Sequence, residues 1–276
     1  MSATDDFLAL VVEPEERIGL DVGCLLISAH AHRGERPETV VARGRARLDE
    51  LAAGCEGIEL DAVIAHLFST LGFEGNRTEY DDPRNSFLDE VIDRRTGIPI
   101  TLSIVLIEVA RRLGLDLAPV GMPGHFLVGA GSGRYVDAFE HGHVLDVAGC
   151  RRKFVELAGP AAPWSAELLA PVGPRAVLAR VLANLRRVFA DAGDLHSLEW
   201  VLALRTGIPG VPVTERAERA TVLAALGRYD EAASELDRVA DTSERRWADG
   251  LGASDRDTVT ADDLRARAAR WRARLN

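Results

Sequence analysis

His125 and Asp137 lie twelve residues apart, either side of the turn-forming Gly131-Ser132-Gly133. The flanking segments, 118–130 and 134–139, alternate with a period of two, the pattern of antiparallel strands joined through a glycine-rich turn. If the hairpin is centred on Gly131, the two side chains stand directly opposite on one face, with Cβ atoms roughly 4.5–5.5 Å apart. A slip of one residue would send them to opposite faces. A carboxylate beside an imidazole fixes its tautomer and supports proton transfer. The plainer reading is a hydrogen bond that satisfies two polar groups at a sheet edge, and spacing alone leans that way.

The elements that would position this pair are mostly helices. Residues 5–53 read as helical, interrupted near Gly34 and Pro37. From 61 to 71, Val63, Ile64, Leu67, Phe68 and Leu71 form one apolar stripe that Gly72 stops. Gly75-Asn76 and Asp81-Asp82-Pro83 are turn signals. A short helix follows, with Asn85 or Ser86 as its expected cap. Pro99 then opens a helix apolar nearly all round, closed by Gly114. Another helix is expected from about Val147. Residues 158–174, rich in proline and alanine, read as a linker. Everything beyond is helical, and RAERATVLAALGRYDEAASELDRVA places Gly227, Tyr229 and Ala232 as a tetratricopeptide hairpin would. The expected division is a first domain over 1–157 (its N-terminal stretch, 1–71, helical), a linker over 158–174, and a helical region over 175–276.

The run GFEGNRTEYDDPRNSFLDEVIDRRTGIPITLSIVLIEVARRLGL, followed by GMPGHFLV and YVDAF, closely resembles the bacterial SirB-one-like family. Those proteins join a transglutaminase-like core to tetratricopeptide-like helices. The resemblance implies an α+β fold: a helix-rich transglutaminase-like (papain-like) core with a small antiparallel sheet, then an α-helical tail. In the wider superfamily the site is a Cys–His–Asp triad, its cysteine at the start of the central helix. By resemblance, His125 matches the histidine of PGHF and Asp137 the acid. Counting back about four turns from Gly114 puts the cysteine's position at Pro99, among Gly97, Ile98, Ile100 and Thr101. The subfamily generally shares this loss, and DAF stands here where DPF is more usual.

Without a thiolate, acyl-enzyme chemistry lacks its nucleophile. Cys24, Cys55 and Cys150 lie outside the motif and read as packing residues, while Thr101 and Ser103 are minor hydroxyl candidates. Arg84, Asn85 and Ser86 are candidates for the rim of the same pocket, although turn formation explains them equally well. Asp93, Arg94 and Arg95 read as a solvated helix end, and Glu108 as a carboxylate needing an arginine. His141 and His143, with Glu140 and Asp146, read as a solvated turn; no metal or cofactor is expected.

With 43 acidic against 33 basic residues the formal charge is −10, which disfavours binding to phosphate backbones. No apolar run approaches the roughly 18 residues of a membrane span. The acidic start does not read as a secretory signal, and scattered cysteines fit the cytoplasm. All basic residues but Lys153 are arginine, which reads as coding bias. The leading expectation is a non-catalytic transglutaminase-like protein that binds a protein or peptide partner. The alternative is an amide or ester hydrolase, or an acyl transferase, using His125 and Asp137 with water or a hydroxyl. In a third, purely structural reading the pair only adds stability.

Overall fold

The computed structural model describes residues 2–32, 34–248 and 260–275. It forms two compact units, Met1–Asn184 and Leu185–Asn276. The first begins with helices α1 (Ala3–Val11), α2 (Leu20–Ser28) and α3 (Pro37–Ala53). The Ser2 hydroxyl accepts the Asp5 N–H while the Asp5 carboxylate accepts the Ser2 N–H, a capping box that satisfies exposed donors at the start of α1.

The apolar stripe after residue 60 does not form one regular α-helix. α4 (Leu60–Ile64) runs into a π-helical turn, Ala65–Thr70, in which the Leu71 N–H reaches back five residues to the His66 carbonyl at 2.9 Å. Next come β1 (Glu74–Gly75), α5 (Leu88–Arg94) and β2 (Thr96–Gly97). β1 and β2 pair in parallel, Gly75 beside Gly97, where the sequence suggests only turns. The cap of α5 is also displaced from its expected place. Phe87 holds that position without a side-chain bond, and Asn85 and Ser86 lie in the preceding 3-10 turn, Pro83–Ser86.

The central helix α6 (Pro99–Arg112) is buried from Pro99 to Ala110, as its all-round apolar character requires. Its one interior acid, Glu108, accepts from Arg111 at 2.7 Å and Arg112 at 2.8 Å. Against α6 packs a four-stranded antiparallel sheet in the order β3 (Ala118–Val120), β4 (Leu127–Gly129), β5 (Tyr135–Asp137), β6 (His143–Leu145). The stretch expected as one strand, 118–130, is therefore two strands with a turn between them. β4 and β5 pair Val128 with Val136 and Gly129 with Tyr135, which centres the hairpin on Ser132 rather than Gly131.

α7 (Val147–Ala158) follows, its first turn capped by Asp146, which accepts the Gly149 N–H at 2.7 Å. Within the proline-rich 158–174 the chain returns to the sheet. Val172 donates to the Pro119 carbonyl at 2.9 Å, and Leu169 packs with Val120, Met122, Leu127, Cys150 and Phe154.

The division between the units falls within α8 (Pro174–Asp191). The second unit continues with α9 (Leu195–Gly207), α10 (Thr214–Ala225), α11 (Tyr229–Ala248) and α12 (Ala261–Arg272). Its core gathers Ala220, Ala233, Leu236, Val239, Ala240, Leu264 and Ala268. Glu235, 2% exposed, lies among Arg216, Arg219 and Arg238.

Candidate functional site

His125 is presented by a tight turn rather than by a strand. Met122-Pro123-Gly124-His125 closes with the His125 N–H on the Met122 carbonyl at 3.0 Å, and Gly124 has φ 77°. Proline second and a left-handed glycine third are what a type II turn demands. From its nearly buried position, the His125 Nε2 lies 2.9 and 3.0 Å from the two oxygens of Asp137. The expected contact is present, but its expected cause is not. The register continued one step would set Asp137 against Leu127, and His125 reaches it from the turn. The carboxylate can only accept, so Nε2 carries the proton and Nδ1 keeps a lone pair. Nδ1 has no hydrogen-bond partner among the described residues.

Asp137 is fully buried and heavily engaged. Its Oδ1 accepts the N–H groups of Phe139 at 3.1 Å and Glu140 at 3.3 Å, and its Oδ2 lies 2.6 Å from the Lys153 ammonium. Burial by itself raises the carboxyl pKa, but the hydrogen bond from His125 and the Lys153 ammonium outweigh it and hold Asp137 below its ordinary range. Burial lowers Lys153, and the carboxylates of Asp137 and of Glu140, 3.4 Å away, together more than restore it. Lys153 is a site residue that sequence reasoning misses. The chain's single lysine is thus the counter-charge of its candidate site, one turn after the buried Cys150 on α7.

Phe139 links the pair to the start of α6. Its ring stands edge-on to His125 with centroids 6.4 Å apart and covers Gly75, where a Cβ would come within 2.5 Å of it. Gly75 is in turn paired with Gly97, two residues before Pro99. At the position expected for a cysteine, Pro99 is buried and has no group that could attack. The Thr101 hydroxyl is spent on structure, donating to the Asn85 carbonyl at 2.7 Å and accepting the Ile98 N–H at 3.2 Å. Ser103 is buried a turn deeper, its Oγ without a hydrogen-bond partner.

Asn85 is a latch. Its Nδ2 donates to the carbonyls of Glu79 at 2.7 Å and Tyr80 at 3.2 Å, and its Oδ1 accepts from Asn76. Ser86 is buried in the same turn, while Arg84 is exposed and pairs with Asp82 at 2.6 Å. Asp93 pairs with Arg47 at 3.6 Å, Arg94 with Asp82 at 3.7 Å, and Arg95 donates to the Leu71 carbonyl. Burial pushes the Cys24 thiol well up, and burial with Asp146 and Asp137 raises Cys150 to about 11. Neither forms a thiolate at neutral pH. Cys55 is half-buried, its thiol 3.9 Å from the Ala62 carbonyl. His141 and His143 are exposed, and the described residues contain no cluster of three metal-ligating side chains.

A profile described as the transglutaminase-like superfamily matches residues 35–183. A UPF0162 protein of Xylella fastidiosa strain Temecula1 is 44% identical over 140 residues, 49% of this chain and 50% of that protein. A UPF0162 protein of strain 9a5c is 37% identical over 193 residues, 66% of each chain. The chain therefore spans half to about two thirds of the length of these relatives. F-box only protein 21 of Mus musculus is 37% identical over 137 residues, 46% of this chain and 21% of that protein. No solved structure matches.

Proposed function

Because the chain belongs to the transglutaminase-like superfamily and carries proline where a nucleophile would open its central helix, we propose that it is a non-catalytic member that binds a peptide or protein partner. In this reading it is of the SirB-one-like kind, with the pocket around His125 and Asp137 in residues 1–157. Tetratricopeptide-like helices in 175–276 hold the partner, and the protein works in the reducing cytoplasm. The observation that carries the reading is a base without a reactant. The His125 ring hydrogen-bonds to Asp137, and no hydroxyl or thiol is bonded to it among the described residues. The neighbouring hydroxyl of Thr101 already serves the backbone. Recurrence of the matched segment inside the much longer mouse protein fits a module that works by association.

The test pairs two assays on wild-type protein and H125A. An array of immobilised peptides should show a set bound by wild type and lost in H125A, at unchanged thermal midpoint. Turnover of p-nitrophenyl acetate and transfer of a glutaminyl group to a dansylated amine should match background in both proteins. Turnover that disappears in H125A would sink the reading in favour of a hydrolase or transferase. That second reading draws on the tautomer fixed by Asp137, which leaves Nδ1 able to take a proton from water.

A further inference from the structure

Arg180 on α8 holds the turn that carries His125. Its Nη2 donates to the Met122 carbonyl at 3.0 Å and to the His125 carbonyl at 2.8 Å, and its guanidinium lies over the Phe126 ring, 5.6 Å from the centroid. Gly121 leaves room for this approach: a Cβ there would lie 3.4 Å from Nη1. The remaining donors, Nε and Nη1, meet no protein acceptor among the described residues.

The absence of a carboxylate partner among the described residues sets Arg180 apart. Arg94, Arg112, Arg175, Arg186, Arg205, Arg216, Arg219 and Arg265 are also partly or wholly withdrawn from solvent, and each has a carboxylate in salt-bridge range. Arg180 has none among the described residues. A half-buried guanidinium without a counter-ion is costly unless something else supplies the negative charge. Burial lowers its pKa, and the one nearby titratable group that opposes this is the Tyr80 phenol, which is neutral at ordinary pH. Tyr80, 41% exposed, stands edge-on to Phe139 at 6.1 Å, and Phe139 stands edge-on to His125. Tyr80, Phe139 and His125 thus form a run of edge-on rings exposed at Tyr80, and Arg180 holds the His125 turn from α8.

We propose that this group of side chains binds a carboxylate, with the free edge of Arg180 as its counter-charge and His125 beside it. A guanidinium edge fits a carboxylate with two parallel N–H donors. The inference rests on the peptide-binding reading and narrows it to peptides that bring a carboxylate, from a free C-terminus or an acidic side chain.

The experiment is an NMR titration following the His125 ring nitrogens and the arginine Nε–H signals. The probes are N-acetyl-Gly-Gly, with a terminal carboxylate; N-acetyl-Glu amide, with a side-chain carboxylate; and N-acetyl-Gly-Gly amide, with neither. At least one acid should saturate the shifts and bind about tenfold tighter than the neutral amide, and which acid does so names the source. R180Q should lose that margin, whereas R180K, which keeps the charge but not the fork, should keep some of it. Acids no better than the amide, an unaltered margin in R180Q, or no binding by any probe would overturn the proposal. Equal binding of all three would do so while leaving peptide binding itself intact. Peptides lost from the array in H125A, together with silent titrations, would likewise remove the carboxylate and spare the broader reading.

Discussion

Asp137 serves two donors, the His125 ring and the Lys153 ammonium, from one buried carboxylate. Removing the acid leaves the Lys153 ammonium with Glu140 alone, 3.4 Å away, so D137N should lose about 2 kcal/mol after allowance for the partial exposure of Lys153. The double variant D137N/K153M should recover some of that loss in urea unfolding. The pH dependence has a definite sign. The folded carboxyl is held below its unfolded value, so its contribution is present above the ordinary carboxylate range and fades as pH falls through the lowered value. The ammonium is raised, so its contribution is present below the ordinary lysine range and fades as pH rises through the raised value. Thermal midpoints of wild type and the double variant should differ most between those limits; a difference that stays flat into strong acid would count against the ion pair. His125 and Asp137 were legible as residues because PGHF and the period-two flanks marked them. Lys153 was not: it lies sixteen residues beyond Asp137 on a helix, and no spacing rule connects a strand end with the second turn of α7.

At the level of elements, the His125 turn and the β1–β2 pair are the pieces most sensitive to a single methyl group. At Gly124 the space is adequate, with Leu157 3.7 Å from an added Cβ, but φ is 77°. G124A should therefore cost about 1–2 kcal/mol through backbone strain alone. G75A poses the opposite problem, since its Cβ would sit 2.5 Å from the Phe139 ring. It should cost about 1–3 kcal/mol as overpacking and shift the His125 ring signals as Phe139 moves. A variant as stable as wild type with unmoved His125 signals would refute the linkage through Phe139. The strand periods were readable, but the hairpin is displaced by two residues from the expected register, a step that preserves facing. That parity keeps Asp137 on its expected face, while His125 meets it from the turn and not from a facing strand position. β1 and β2 have two residues each, too few for any period to show, and their glycines read naturally as turns. The π-turn was hidden because an apolar stripe looks the same whether the chain closes four residues back or five.

Over the whole molecule, each unit has its own core and its own buried acid held by arginines: Glu108 in the first, Glu235 in the second. E235A would leave Arg216, Arg219 and Arg238 facing one another and should cost about 3 kcal/mol. Hydrogen exchange along α10 and α11 should accelerate accordingly, and unchanged protection there would show that Glu235 is dispensable. Helix content and the central buried helix were plain in the sequence because apolar periodicity records burial directly. Ion-pair partners were not, because arginines outnumber the buried acids and any of several could reach each one. The scarcity of lysine has a practical side. Apart from the α-amine, Lys153 Nζ is the sole primary amine in the sequence, so an activated ester has two targets to choose between. Acylation at Lys153 would discharge the cation beside Asp137, and a protein tethered there would have its candidate site altered by the tether itself.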